Sequence, residues 1–293
     1  MTAPQVFVFG LGYTGLAFAR ALREAGVAVG GTVRSADKAE ALRSEGIKAL
    51  VFDGSTRSTA VAAALADATH VVVTISQGQG GDPVLAAHGD DLAAAPRLAW
   101  VGYLSTVGVY GDHGGAWIDE ETPPDPRIAR AAARIAAEDA WQRLGADRGV
   151  PVGIFRLAGI YGPGRNPFVK LAEGSAHRIV KPGQVFNRIH VADIAATLRA
   201  AMARPADRTY NVADDEPAPP QDVIAHAAEL MGVAPPPEVA FAEADLSPMA
   251  RSFYEGNRRI ANRRIRDELG VTLAYPTYRD GLAALWRDGD WRG

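Results

Sequence analysis

Six short apolar runs punctuate the chain up to residue 157: VFVF (6–9), AVGGTV (28–33), ALVF (49–52), HVVVTI (70–75), LAWVGYLS (98–105) and VGIFRL (152–157). Between them lie stretches of helical periodicity near 14–25, 36–45, 58–66, 83–95 and 127–147. The runs are close to continuously apolar instead of alternating, which requires cover on both faces of every strand. Strand-helix repetition with such strands predicts a doubly wound α/β fold: a parallel sheet, helices on both sides, right-handed crossovers.

After about residue 158 the rhythm breaks. GIYGPGRNP is turn-rich, APP (218–220) marks a loop and GVAPPPE (232–238) is a proline-rich connector. At 293 residues the chain has the length of about two domains of roughly 150 residues. The expected division is a dinucleotide-binding domain over 1–158, with 189–204 returning to it, and a smaller, irregular α+β substrate lobe over 159–293.

Composition narrows the partners. With 31 basic and 34 acidic side chains the net charge is -3, so no overall field draws the chain to nucleic acid or to an anionic membrane. The absence of cysteine removes disulfides, thiolate nucleophiles and Cys-ligated metals. The six histidines include no i,i+4 pair, and no metal site is expected. The N-terminus lacks a basic leader region and its apolar stretch ends at Arg20, short of the about 20 residues of a membrane span. A soluble, cytoplasmic protein is the expectation.

Directly after the first apolar run stands Gly10-Leu-Gly12-Tyr13-Thr14-Gly15, opening a helix. In a βαβ unit this spacing suits a dinucleotide of the Rossmann type. Gly10 permits the tight turn, Gly12 the approach of a pyrophosphate, and Gly15 close packing of helix on strand, with phosphate at the helix N-terminus. A tight structural turn is the alternative. Tyr13 and Thr14 inside the motif, and Thr74 at the end of the fourth run, join the cofactor-binding candidates. The second run ends in Gly31-Thr32-Val33-Arg34-Ser35, with no carboxylate before Asp37. An acidic residue there binds a ribose 2′-hydroxyl and a basic one a 2′-phosphate, so Arg34 favours NADP, with NAD as the other possibility and a solvated loop arginine as the alternative role. Asp53 is a candidate adenine contact or a turn residue before Gly54.

The segment Leu104-Ser105-Thr106-Val107-Gly108-Val109-Tyr110-Gly111 resembles the SS-x-x-VYG strand end of the extended short-chain dehydrogenase/reductases. Arg156-Leu-Ala-Gly-Ile-Tyr-Gly-Pro-Gly164, Arg188-Ile-His190-Val-Ala-Asp193-Ile194, Tyr210-Asn211-Val212 and Glu268-Leu269-Gly270 are similar, in order and spacing, to the epimerase/dehydratase branch of that family. The resemblance implies that Thr106 hydrogen-bonds a substrate oxygen, and that His190 and Asp193 order a helix start. It also implies a catalytic Tyr-x-x-x-Lys pair on the following helix. Aligned on Glu138, those positions hold Arg130 and Arg134. Neutralising an arginine at pH 7 would cost at least about 7.5 kcal/mol, so Arg130 cannot relay a proton; it is grouped with the substrate-binding candidates. Arg134 retains a positive charge for the nicotinamide ribose. Val107 and Gly108 fall where the family's dehydratases carry an acid and a base, which excludes that route. Tyr110 is the nearest alternative proton donor, and His113 reads as a loop residue.

Ligands of an open α/β sheet sit outside the carboxyl ends of its strands. Arg165, Arg188 and Arg259 are expected to converge there on a small anionic substrate, the alternative being ion pairs across the lobe interface. The arginines between Arg251 and Arg266 read as a solvated helix face or an anion contact. Two functions remain: an NADP-dependent reductase or epimerase acting on a small polar, nucleotide-linked substrate, or a non-catalytic NADP(H)-sensing protein. The alanine-rich helix over 127–147 corresponds to the family's dimer helix, leaving monomer and homodimer open.

Overall fold

The computed structural model describes residues 3–78, 80–127 and 129–293, the side chains of 129 and 130 excepted. The strands are β1 (Gln5–Phe9), β2 (Ala28–Val33), β3 (Lys48–Val51), β4 (His70–Val73), β5 (Trp100–Thr106), β6 (Trp117–Ile118), β7 (Val152–Leu157), β8 (Gly159–Tyr161), β9 (Arg178–Val180), β10 (Arg188–His190), β11 (Arg208–Val212), β12 (Glu238–Ala240) and β13 (Arg259–Ile260). The helices are α1 (Tyr13–Glu24), α2 (Ala36–Ser44), α3 (Thr59–Asp67), α4 (Pro83–Ala94), α5 (Ala129–Arg148), α6 (Pro167–Ala172), α7 (Val191–Ala203), α8 (Pro220–Met231), α9 (Pro248–Ser252), α10 (Arg263–Asp267) and α11 (Tyr278–Asp288).

Seven strands form one parallel sheet in the order β11-β7-β5-β4-β1-β2-β3. The period of two along β1 shows why both faces must be covered. Val6 and Val8 enter one core with Phe18 and Leu22 of α1 and Ile194 and Leu198 of α7. Phe7 and Phe9 enter the opposite core with Val61 and Leu65 of α3, Leu92 of α4 and Trp141 of α5. Each fully buried side chain of this kind contributes roughly 1.5–3 kcal/mol. Local signals set the helix starts: Ser35, Ser58 and Asp82 accept backbone N–H groups as N-caps of α2, α3 and α4, and Pro83 occupies the first turn of α4.

The six expected strands are all present. A seventh, β11, was not among them, and the segment returning to the sheet runs beyond 204 through Val212. Ile260, Ile265, Leu269, Val271 and Leu273 also pack into the core shared with α1 and α7. The smaller lobe is therefore interleaved with the sheet domain. Its own core joins Tyr161, Phe168, Val223, Tyr278, Leu282, Leu285 and Trp291, edged by the two-stranded pairs β8–β10 and β9–β12. The arginines of 251–266 are spread over α9, β13, α10 and the loops between them, which corrects the reading of one solvated helix face.

Strand β1 lies between β2 and β4: the chain runs from β1 outward through β2 to β3, then crosses back over to β4 on the other side of β1 and continues the opposite way. That is the switch point of the sheet, and the crevice at the carboxyl ends of β1 and β4 is where the glycine loop emerges.

Candidate functional site

The three glycines have three separable jobs. Gly10 adopts φ 96°, donates its N–H to Thr32 Oγ1 at 2.9 Å, and leaves no room for a Cβ, which would lie 2.6 Å from Thr74 Oγ1. A Cβ on Gly15 would sit 2.1 Å from the carbonyl oxygen of Gly10, so α1 rests directly on the loop, whereas one on Gly12 would meet nothing within 4 Å. Gly12 faces open space. No side chain caps α1, and the N–H groups of Tyr13, Thr14 and Gly15 have no intrahelical acceptor. An accessible surface beside uncapped donors fits a phosphate, and the loop therefore fits a dinucleotide.

Thr74 serves this loop from beneath. Its hydroxyl donates to the Gly10 carbonyl at 2.7 Å, so this cofactor candidate braces the loop itself. Arg34 is exposed beyond the end of β2, with no hydrogen bond or ion pair among the described residues. Asp53 is exposed, and Ser55 donates both its N–H (2.9 Å) and its hydroxyl (2.6 Å) to Oδ1. Those bonds hold its carboxyl below the ordinary aspartate value and form the turn.

At the end of β5, Thr106 is partly exposed. Its Oγ1 accepts the N–H of Gly108 at 3.0 Å, starting the 3-10 turn Val107–Tyr110, and its own proton is available to a substrate oxygen. Tyr110 does not face the cleft. It is fully buried, donates to Asn211 Oδ1 at 2.8 Å, and lies under the Arg156 guanidinium at 4.8 Å; burial raises its pKa. The expectation that Tyr110 donates a proton is corrected: its hydroxyl ties β5 to β11.

Behind it, Arg156 and Glu138 form a buried ion pair at 2.7 Å, and Ser105 donates to the same carboxylate. Arg134 donates to the Tyr103 hydroxyl (3.1 Å) and the Leu104 carbonyl (3.3 Å), which fixes its charge against the carboxyl end of β5. Arg130 is helical in backbone, and its side chain lies outside the described residues.

The three arginines expected around an anionic substrate are each held by different neighbours. The exposed Arg165 stands 5.7 Å over the ring of Tyr13, whose hydroxyl donates to the Pro163 carbonyl at 3.0 Å. Arg188 donates to the carbonyls of Phe186 (3.0 Å) and Ala218 (3.2 Å) and lies 5.7 Å from the Tyr278 ring. Neither has a carboxylate partner at ion-pair distance among the described residues, against the alternative of ion pairs across the lobes. Burial lowers the pKa of Arg188 and pushes Asp214 beside it up to about 8. Arg259 donates to the Gly115 carbonyl. Its neighbour Arg258 donates to the Gly111 carbonyl at the VYG turn, and burial lowers its pKa. Neighbours on an extended chain point to opposite sides, and nothing local distinguishes which of the two reaches the VYG turn.

His190 Nδ1 accepts the N–H of Ala192 at 3.2 Å as N-cap of α7, and burial pushes its pKa down to about 4. Asp193 accepts the N–H groups of Ala274 (2.7 Å) and Tyr275 (3.1 Å). Both are structural, and His113 is held in its loop by the Tyr110 carbonyl. A cavity of about 490 Å³ between Trp117–Thr122 and Ala261–Glu268 lies apart from the glycine loop, with Glu120 and Arg264 in its wall. Among the described residues no helix is long and apolar enough to cross a membrane, and no group of three or more His, Asp or Glu is placed to hold a metal.

A seven-stranded parallel sheet with this glycine loop and strand end defines a protein of the short-chain dehydrogenase/reductase class. The chain belongs to the NAD dependent epimerase/dehydratase family, whose model matches residues 6–213. A solved structure of a conserved protein of unknown function from Silicibacter pomeroyi DSS is 52% identical, with a TM-score of 0.88, over 98% of this chain and 100% of that one. The 3-diazoavenalumate denitrifying reductase of Streptomyces sp is 32% identical over 183 residues, 56% of this chain and 58% of that protein. The UDP-glucose 4-epimerase of Thermus thermophilus, solved in complex with NAD, shares the fold with a TM-score of 0.76 at 21% identity over 99% of each chain.

Proposed function

We propose that this chain is an NADP-dependent reductase acting on a small anionic substrate. The observation that carries the reading is the end of β5. There Thr106 carries a partly exposed hydroxyl, the Arg134 guanidinium is bonded to the Leu104 carbonyl, and the Tyr110 hydroxyl is sealed away. An epimerase must remove a proton in one half-reaction and return it in the other, which calls for a side chain that titrates. A reductase needs one proton per turnover, and water supplies it. The similarity to a reductase supports the same choice.

When bound, the dinucleotide supplies a hydride from its nicotinamide ring. Thr106 donates a hydrogen bond to the substrate carbonyl oxygen, stabilising the negative charge that grows there as the new C–H bond forms at carbon. The oxygen then takes a proton from water, giving the alcohol. Arg134, fixed on the carboxyl end of β5, would supply positive charge to the nicotinamide half of the dinucleotide. Arg34, without a competing carboxylate, supports NADP through a charge-assisted contact to the 2′-phosphate.

Fluorescence titration with NADPH and NADH tests the cofactor. Arg34→Ala is expected to weaken NADPH by about tenfold to 150-fold, from about 1.5–3 kcal/mol for a charge-assisted contact, and to leave NADH unchanged. Equal wild-type affinities for the two nucleotides would reject the preference. Consumption of NADPH is then followed over a panel of carboxylated, phosphorylated and neutral carbonyl compounds. Turnover restricted to anionic members supports the substrate class. Tight NADPH binding without turnover of any member points to the sensing function instead.

A further inference from the structure

We propose that Arg165 binds the pyrophosphate of the dinucleotide, so that the smaller lobe completes the cofactor site from across the cleft. The proposal rests on the dinucleotide-binding part of the function above and reassigns Arg165 from substrate to cofactor.

Its loop is braced from several sides. Gly162 and Arg165 exchange backbone hydrogen bonds at 3.1 and 3.0 Å. Asn166 donates through Nδ2 to the carbonyls of Gly162 (2.8 Å) and Trp291 (2.7 Å), and the Gly164 N–H donates to Trp291 at 3.1 Å. The loop is also docked on the glycine loop: the Tyr13 hydroxyl holds the Pro163 carbonyl at 3.0 Å, and the Tyr13 ring carries the Arg165 guanidinium at 5.7 Å. Burial pushes the Tyr13 hydroxyl up to about 12, which keeps it a donor at every physiological pH.

Tyr13 is the first residue of α1. The guanidinium thus rests on the side chain of the residue that opens α1, the helix end whose partial positive charge favours an anion. No carboxylate among the described residues lies at ion-pair distance from it. An anion between the α1 donors and Arg165 turns two like-signed neighbours into a clamp, and the bidentate fork of arginine suits a phosphate oxygen pair. The open face of Gly12 leaves room for that anion.

The test is titration of NADPH, NADH and ADP-ribose into wild type, Arg165→Ala, Arg165→Lys and Arg34→Ala, with thermal melting to verify folding. ADP-ribose keeps the pyrophosphate and lacks the nicotinamide and the 2′-phosphate. Arg165→Ala is expected to weaken all three ligands by a common factor of about tenfold or more, Arg165→Lys to recover part of it, and Arg34→Ala to weaken NADPH alone. Unchanged ADP-ribose and nucleotide affinities in Arg165→Ala would overturn the assignment while leaving the cofactor intact. A wild-type chain that binds none of the three would overturn the cofactor reading first, and this inference with it.

Discussion

Around the glycine loop the polar contacts are made by backbone, supported by two threonine hydroxyls, whereas at the end of β5 they run from side chain to side chain. Thr32 and Thr74 hold the loop of Gly10 in place, and what it presents to a ligand is N–H groups and empty space. At β5 the chain has Ser105 on Glu138, Glu138 on Arg156, Arg156 over Tyr110 and Tyr110 on Asn211. A backbone site tolerates changes in residue identity as long as the glycines stand. A side-chain site changes its chemistry with each replacement. The first region accordingly keeps its three glycines, while the second carries arginine at the positions where the family resemblance places tyrosine and lysine.

The most damaging way to probe the difference is at the buried ion pair. Glu138→Ala leaves Arg156 buried and uncompensated, an expected loss of about 3–5 kcal/mol in chemical denaturation. A loss below about 1 kcal/mol would mean that the β5 region is not held by this pair.

On the other side, Gly15→Ala forces a methyl group to 2.1 Å from the Gly10 carbonyl. Helix α1 must shift, at a cost of about 1–3 kcal/mol, and nucleotide affinity falls with it. Gly12→Ala adds its methyl group to open space and is expected to keep wild-type stability while weakening nucleotide binding alone. If the two variants proved equal in stability, the division of labour among the glycines would be wrong.

These roles were legible in the sequence because they are local: turn, approach and packing lie within six consecutive residues following an apolar strand. Six of the seven strands, β3 at the far edge included, were legible for a similar reason, each being a short run of mainly apolar residues. Strand β11, RTYNV, escaped because Arg208 and Thr209 at its start are not buried, and an edge strand with polar residues does not read as part of a covered sheet. The arginine partners were not legible at all. Whether Arg165 meets Tyr13, or Arg258 the Gly111 carbonyl, is decided by segments more than 100 residues apart in the chain. The VYG motif announced Tyr110 without stating which side of the turn its hydroxyl takes.

The lobe behind the cleft adds a pH dependence. Asp214 has its pKa raised to about 8 by burial, from an ordinary 3.8. The folded state therefore retains a proton that the unfolded state releases, and stability falls as pH rises between those values. His190, lowered to about 4 from 6.5, acts oppositely and only below about 6.5, where the unfolded state takes up a proton that the folded state refuses. Between about pH 6.5 and 8 the Asp214 contribution stands without opposition from His190. A single proton changes stability by at most about 1.4 kcal/mol per pH unit, so wild type is expected to lose up to about 2 kcal/mol across that window. Asp214→Asn should flatten the slope. A variant that melts with the wild-type slope would show that Asp214 is already ionised beside Arg188.

The smallest expected effect bears most directly on the chemistry. Tyr110→Phe removes the hydroxyl that meets Asn211 Oδ1 at 2.8 Å and keeps the ring under Arg156. The lost hydrogen bond should cost about 1 kcal/mol, somewhat more if the amide oxygen finds no new donor. Because the hydroxyl is sealed from the cleft, the rate with a reducible substrate should stay within about threefold of wild type, a difference of less than 1 kcal/mol in barrier. Thr106→Val, which removes a hydroxyl on the cleft side, should slow the same reaction by about tenfold to a hundredfold. The contrast between the two variants carries the argument: a Tyr110→Phe rate as low as that of Thr106→Val would place the tyrosine among the reacting groups and require the turn Val107–Tyr110 to open during catalysis.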